Sequence, residues 1–242
     1  MSRLDVELVS RGLAESRAKA KAAIEAGGVT IDGVPARSAS QSVEEGAVIL
    51  AEPAHRWVGR GALKLDHALS LWPVAVEGRV VLDVGASTGG FTEVCLERGA
   101  VRVFAVDVGQ GQLHPRLAAE PRVVNLERTD ARSLTTALIP DAPQLIVCDA
   151  SFIGLAKVLP AALSLAAVGA DLVTLVKPQF EAERPGGGKK GVIKDTEAHA
   201  AAVTSVSDWL EGVGWTVMAT TVSPITGGDG NVEFLLWARK RA

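Results

Sequence analysis

Residues 82–93, LDVGASTGGFTE, hold two possible chemistries. Gly85, Ala86, Ser87, Thr88 and Gly89 match G-x-S-x-G, the strand–turn–helix elbow that presents a nucleophilic serine. The same letters match a glycine-rich turn that lets a nucleotide-like cofactor approach the backbone. The hydrolase reading draws in Asp149 and His199, which follow Ser87 in the right chain order. Three features oppose it. No oxyanion-hole glycine run precedes the turn, His199 falls in a helical pattern (TEAHAAAV) where a surface histidine is expected, and Asp83 has no task before an elbow. A dinucleotide turn would read G-x-G-x-x-G, and Ser87 breaks it at the middle glycine. What remains is Asp83, Gly85, Gly89 and Gly90, followed about two dozen residues on by Asp107 in VFAVDVG, where an acid can accept hydrogen bonds from ribose hydroxyls. Asp130, in ERTDARS, is placed to reach the base edge of the same ligand. Three acids at three adjacent strand ends suit a cofactor with a positive centre and no phosphate, so S-adenosylmethionine fits better than NAD. Ser87 is then lining.

A methyl donor leaves the acceptor open. Carbon-5 methylation of a pyrimidine needs a cysteine nucleophile, and Cys95 and Cys148 fall in a helix and a strand where burial is expected. Methylation of a base amino group uses D/N-P-P-Y/F; here the fourth strand ends Cys148-Asp149-Ala150-Ser151, and the chain has no tyrosine. A hydroxyl acceptor is left, and a ribose hydroxyl needs a base at neutral pH. A lysine serves where burial or a neighbouring cation favours its neutral form. Lys177 closes an apolar run in TLVKPQF, Asp149 ends the run beside it, Glu233 lies in the apolar NVEFLLW, and Lys64 in GRGALKLDHAL precedes the first strand. Singly, each reads as a satisfied ion pair. Two lysines and two acids at expected strand ends are less easily dismissed as ion pairs, and both readings stay open.

These residues need a scaffold. From residue 60 on, short apolar runs (RVVLDVG, VRVFAVDVG, PRVVNLER, PQLIVCDAS, DLVTLVKPQ, WTVMATTVS, VEFLLWARK) alternate with helical patterns at 90–99, 113–119, 153–167 and 195–212. Unbroken apolar strands alternating with helices predict an α/β fold: a seven-stranded, mostly parallel, Rossmann-like sheet covered on both faces. No helix separates the last two runs, so they should pair as an antiparallel hairpin at the sheet edge, leaving the last strand antiparallel. The first residues differ. Leu4, Leu8, Val9 and Leu13 predict a short amphipathic helix closed by Gly12, and Ser16 caps a second over 16–26 that Gly27 and Gly28 end. VTIDGVP turns at Asp32-Gly33, and a further strand is expected over 47–51. This small α+β module (1–52) joins the large domain (60–242) through a linker at 53–59. Its charges balance, although Arg17 and Lys21 sit one helical turn apart with Lys19 close by, a spacing that also describes a solvated helix face.

Composition narrows the class. Of 242 residues, 48% are hydrophobic and 22% charged, so a packed core is expected; a net charge of −3 argues against gripping nucleic acid by bulk charge. Two cysteines without metal spacing argue against a disulfide scaffold or a zinc site. No signal peptide or membrane-length apolar run is present in the sequence, so a soluble cytoplasmic protein, without metal or membrane and monomeric, is expected.

RGALKL, LDVGASTGGFTE, VDVG, CDAS, VKPQFE and SPITGGDGNVEFLLWARK together resemble the TlyA family, FtsJ-like ribosomal RNA 2′-O-methyltransferases once labelled haemolysins, and RLDVELVSRGLAESRAKAKAAIEAGGVTIDG resembles the family's RNA-binding S4 domain. The resemblance covers essentially the whole chain. It implies a class I methyltransferase domain with a catalytic tetrad of Lys64, Asp149, Lys177 and Glu233. It implies S-adenosylmethionine held by Asp83, Gly85, Ala86, Ser87, Gly89, Gly90 and Phe91, by Asp107 with Val108, by Asp130 with Ala131, and beside Asp149. It favours contact with ribosomal RNA through Arg3, Arg11, Arg17, Lys19, Lys21 and Arg60. The mechanism hypothesised on this basis flips the target nucleotide into the cleft, where its 2′-hydroxyl loses its proton to Lys177 near Lys64. Residues 180–194, with Lys189 and Lys190, read equally as a mobile basic loop over the cleft and as a plain surface loop. The family's connector reads R-x-W-V; this chain has His55 in place of the arginine, with Trp57 and Val58 kept and Arg56 as the candidate substitute. Longer members act on cytidines of both subunits and shorter ones on the large subunit alone. A chain that starts almost directly at RLD and ends soon after its last strand is expected to act on 23S rRNA. Action on both 16S and 23S rRNA, a non-catalytic assembly factor, and a haemolysin are the alternatives.

Overall fold

The computed structural model describes residues 2–52, 54–181, 192–227 and 229–242. The chain forms two compact units, Met1–Trp57 and Val58–Ala242.

In the first unit β1 (Ser2–Arg3) runs into α1 (Leu4–Ser10), followed by α2 (Arg17–Glu25), β2 (Val29–Ile31), β3 (Val34–Pro35), β4 (Ser42–Val43) and β5 (Ile49–Ala51). Leu4 and Leu8 of α1 and Ala20, Ala23 and Ile24 of α2 are spaced to share one helix face, and they bury against Val29, Val43 and Ile49. α1 ends before Leu13: Gly12 takes φ +70°, the Leu13 N–H returns to the Leu8 carbonyl at 2.8 Å, and Leu13 stays exposed rather than joining the core as its spacing suggested. Ser16 caps α2 as expected, its hydroxyl accepting from the Lys19 N–H. Asp32 (φ +50°) and Gly33 (φ +80°) make the left-handed pair that a tight hairpin between β2 and β3 requires. β1 pairs with β4; two-residue strands are too short to show alternation, so neither was visible beforehand.

The second unit contains α3 (Ala62–Leu71), β6 (Val80–Val84), α4 (Gly90–Glu97), β7 (Arg102–Val106), α5 (Pro115–Ala118), β8 (Val123–Leu126), β9 (Leu145–Cys148), α6 (Leu155–Val158), α7 (Pro160–Leu165), β10 (Asp171–Val176), α8 (Pro178–Glu181), α9 (Thr196–Gly212), β11 (Trp215–Val222) and β12 (Phe234–Lys240). All seven expected strands form one sheet in the order β11-β12-β10-β9-β6-β7-β8. β12 alone runs antiparallel, between β10 and β11, so β11 takes the edge. The helical pattern at 153–167 is cut in two, since Pro160 has no N–H to continue α6 and instead starts α7. At the amino end of β10, the fully buried Asp171 carboxylate accepts from Arg79 (2.7 Å), Trp237 Nε1 (2.8 Å) and Arg239 Nε (3.0 Å), which ties the reversed β12 in register. Among the described residues no helix is long and apolar enough to cross a membrane.

Candidate active site

β6, β7, β8 and β9 run parallel, so their carboxyl ends meet on one side of the sheet, and a cavity of about 500 Å³ opens there. Gly85 follows β6 with φ +82°, and a Cβ on it would come within 2.9 Å of the Ala150 backbone, so a side chain would force the turn away from the end of β9. Asp107 follows β7. Its Oδ2 accepts from the Ser87 N–H (2.8 Å) and its Oδ1 from the Gly109 N–H (2.7 Å). Each oxygen keeps a further lone pair for a ligand hydroxyl. Val108 is largely exposed beside it, and Asp130 and Ala131 line the same cavity. Asp130 is not a bare acid: Arg132 chelates its carboxylate through Nη2 (2.6 Å) and Nε (3.0 Å) and holds its pKa below the ordinary value. Gly90 and Phe91 open α4, and with Ala86, Ser87, Asp149 and Ser151 they line a second cavity of about 260 Å³. Gly89, with φ +94°, makes the turn into that helix.

Asp83 lines neither cavity. It is fully buried behind the turn, where its Oδ2 accepts from Thr92 Oγ1 on α4 at 2.7 Å and its Oδ1 has no hydrogen-bond partner among the described residues. The third cavity-facing acid is therefore Asp149. Burial is the main cause that pushes the Asp83 pKa to about 7; the Thr92 bond opposes it, and the charges of Asp149 and Asp107 add to it. The folded chain thus holds a proton that the unfolded chain releases near pH 4. Asp83's contribution to stability is present below pH 4 and is lost as pH rises through about 7. Urea unfolding between pH 5 and pH 8 should show wild type losing stability relative to Asp83→Asn as pH rises; parallel curves would contradict the buried neutral acid.

The four charged residues singled out from the sequence meet. Lys64 reaches across from α3, and its Nζ lies 2.6 Å from Glu233 Oε2 and 3.2 Å from Asp149 Oδ2. Lys177 Nζ lies 2.6 Å from Asp149 Oδ1, and it donates to the Asp149 carbonyl (3.1 Å) and to Ser151 Oγ (2.8 Å). The result is one chain of alternating charge, Glu233–Lys64–Asp149–Lys177. Lys64, Lys177 and Glu233 are each no more than 5% exposed. Asp149 stands between the two lysines and accepts from both through its two oxygens. Glu233 lies just before β12 rather than in it, where Gly227 makes room: a Cβ there would sit 2.6 Å from Glu233 Oε1. Ser151, Thr92 and Gly227 were missed. Each is a small residue that stands out only through a contact with an ionisable side chain elsewhere in the chain: Ser151 with Lys177, Thr92 with Asp83 and Gly227 with Glu233.

The rival chemistries are not assembled. His199 is buried, not on the surface; its Nε2 pairs with the Ile193 carbonyl at 3.0 Å and its ring packs edge-on against Phe234. Asp149 is engaged on the two lysines and His199 on the Ile193 carbonyl, so the two partners the Ser87 reading needs serve other contacts. Burial raises both thiols, that of Cys148 to about 12, which leaves little thiolate for nucleophilic attack.

In the first unit, Arg3, Arg17 and Lys21 line one open concavity with Arg37, which sequence reasoning had not singled out. Arg3 and Arg17 share the buried Asp5 (2.9 and 2.8 Å), whose pKa they hold far below the usual carboxylate range. Arg11 instead pairs with Glu7 (2.7 Å), and Lys19 turns to the Trp57 carbonyl. Arg56 stacks over the Trp57 ring at 4.3 Å. Arg60, in the second unit, bonds the Thr226 carbonyl at 2.6 Å. Lys189 and Lys190, with the rest of 182–191, lie outside the described residues.

Residues 57–240 match the FtsJ-like methyltransferase family and residues 2–49 the S4 domain. The chain is 48% identical to a Mycobacterium tuberculosis protein named 16S/23S rRNA (cytidine-2'-O)-methyltransferase TlyA, over 98% of this chain and 90% of that one. The chain belongs to the TlyA family of FtsJ-like methyltransferases. A Campylobacter jejuni relative, named 23S rRNA (cytidine-2'-O)-methyltransferase TlyA, is 36% identical over 75% of this chain and 70% of its own length. A hemolysin-named structure from Streptococcus thermophilus superimposes with a TM-score of 0.78 at 36% identity, covering 99% of this chain and 88% of that one. As a member of this family the chain is a methyltransferase whose methyl donor is S-adenosylmethionine. The site fits that donor. Asp107, Asp130 and Asp149 face the cavity, Arg132 is the cation among its described lining residues and is engaged on Asp130, and the Gly85 turn is open where a Cβ would intrude. Such a set accepts hydroxyls and a cationic centre and lacks the free cations a phosphate needs.

Proposed function

We propose that this TlyA-family enzyme methylates the 2′-hydroxyl of a cytidine in ribosomal RNA, with the large-subunit RNA as its substrate and the cytoplasm as its compartment. The observation that carries the reading is the buried chain Glu233–Lys64–Asp149–Lys177 beside the cavity, which presents an amine where a poor hydroxyl nucleophile needs a base. 23S rRNA is the substrate common to the names of the Mycobacterium and Campylobacter relatives, which supports the large subunit; the former's name favours both subunits as the second reading.

In this reading Asp107 holds the ribose of the cofactor, Val108, Asp130 and Ala131 the base, and Gly85, Ala86 and Ser87 the amino-acid end beside Asp149, with Gly89, Gly90 and Phe91 shaping the turn. Asp83 acts from behind, through Thr92. Bound S-adenosylmethionine supplies a methyl group on a positively charged sulfur. Lys177 removes the proton from the accepting hydroxyl. Asp149 orients Lys177 and Lys64 together, and Glu233 holds Lys64 in place. Arg3, Arg17 and Lys21 meet RNA phosphates at their shared concavity, with Arg11, Lys19, Arg60, Lys189 and Lys190 as further contacts. The target nucleotide is flipped out to reach the site.

The test incubates labelled S-adenosylmethionine with small subunits, large subunits and whole ribosomes from cells lacking the enzyme, then maps the modified ribose by its resistance to alkali. Label in the large subunit alone, with one alkali-resistant linkage, is expected. Label in both subunits would establish the second reading. Label without alkali resistance would make a base the acceptor and overturn the four-residue mechanism.

A further inference from the structure

We infer that Ser151 is a catalytic residue that relays the acceptor's proton to Lys177. The inference rests on the methyl-transfer reading above and adds a residue to it.

Three oxygens surround Lys177 Nζ: Asp149 Oδ1 at 2.6 Å, the Asp149 carbonyl at 3.1 Å and Ser151 Oγ at 2.8 Å. An ammonium has three N–H donors and satisfies all three oxygens. A lysine about to act as a base has two N–H groups and a lone pair, so one of these oxygens must either lose its donor or become a donor itself. The carboxylate and the carbonyl have no proton to give. The Ser151 hydroxyl has one, and it alone of the three can reverse its hydrogen bond and point its proton at the amine.

Position supports the same role. Lys177 is 5% exposed, so a bulky acceptor has little direct access to its nitrogen. Ser151 is exposed and lines both the 500 Å³ cavity and the smaller one around Ser87 and Phe91. It therefore has one side on the buried amine and the other on the space where cofactor and acceptor meet. The backbone holds it there: the next residue, Phe152, takes φ +66°, a left-handed conformation that is strained for an aromatic residue and turns the chain sharply after β9.

The acceptor O–H bond breaks and its proton goes to Ser151 Oγ, while the original Ser151 proton goes to Lys177 Nζ, so the serine is unchanged and the amine becomes an ammonium. The freed oxygen pair forms the new C–O bond, and the C–S bond breaks with its pair left on sulfur, which loses its positive charge.

Single-turnover transfer to ribosomal RNA should fall by about 10²-fold in Ser151→Ala, the usual worth of a proton-transfer group. Ser151→Thr, which keeps a hydroxyl, should recover most of the rate, and both variants should bind S-adenosylmethionine as wild type does by calorimetry. In mixtures of light and heavy water the wild-type rate should follow a curved proton inventory, because two protons move together. In the cofactor-free protein, the ¹⁵N resonance of the Lys177 amine should move on Ser151→Ala. A Ser151→Ala enzyme with wild-type turnover, a linear inventory in wild type, or an unmoved Lys177 resonance would each overturn the relay. Wild-type enzyme that transfers no methyl to any ribosomal particle would instead sink the underlying reading, and the relay with it.

Discussion

Lys177→Met should slow single-turnover methyl transfer by about 10²–10⁴-fold, the range expected when a positioned base is lost, and should leave S-adenosylmethionine binding intact. Methionine keeps the length and much of the volume of the buried lysine stem and removes the nitrogen. Asp149 would still have Lys64 at 3.2 Å, so the carboxylate at the centre of the site keeps a cationic partner and the cavity keeps its wall. Asp107 follows β7, beyond β6 from Lys177, and its carboxylate is held by the Ser87 and Gly109 N–H groups rather than by the lysine. Measuring single-turnover rate and cofactor Kd on the same preparation separates base from binder. Normal turnover would remove Lys177 from the mechanism; equal losses in turnover and cofactor affinity would make it a structural residue of the cavity.

Lys64→Met should destabilise the methyltransferase unit by about 3–5 kcal/mol, the cost of leaving one half of a buried ion pair behind. Glu233 is 3% exposed and receives the Lys64 ammonium at 2.6 Å. Without that partner its carboxylate would be a charge in a low-dielectric interior. Adding Glu233→Gln to the Lys64→Met protein removes the stranded charge, so stability should partly return while transfer stays lost. Urea unfolding of wild type, both single variants and the double variant closes this cycle and measures the coupling directly. A Lys64→Met protein as stable as wild type would show that Glu233 reaches water or another cation, and the chain of alternating charge would then end at Asp149.

Much of this was readable from the chain because of a local rule. Strands buried on both faces must be apolar throughout, so a charge that closes such a run stands out. Lys177 after DLVTLV and Asp149 after LIVC were conspicuous for this reason, and both sit one residue beyond their strands. Glu233 was seen for the same reason and misplaced by one residue, because the apolar run of β12 gives no sign of where pairing with β10 starts. Asp83 interrupts an apolar run near its end and looked like a cavity residue. Only the packing of α4 against β6 shows that its carboxylate turns to Thr92. His199 read as a surface residue since alanines surround it in sequence; Phe234 and the Ile193 carbonyl, which bury it, come from other segments.

The order of the runs and the residues between them determined a mostly parallel α/β sheet with a ligand turn after its first strand, a small helical and stranded module ahead of it, and a family resemblance that carried the activity. Periodicity and turn chemistry act over a few residues, so a sequence states them directly. Tertiary structure alone decided who meets whom at the site. Lys64 reaches a carboxylate 169 residues away because β12 inserts between β10 and β11, which brings Glu233 to the strand ends that carry Asp149 and Lys177. Asp149 separates the two lysines, and Ser151 faces both Lys177 and the cavity, through distances of a few ångströms set by the packing of separate elements. Such contacts depend on the register of strands and the seating of helices, and no spacing along the chain encodes either.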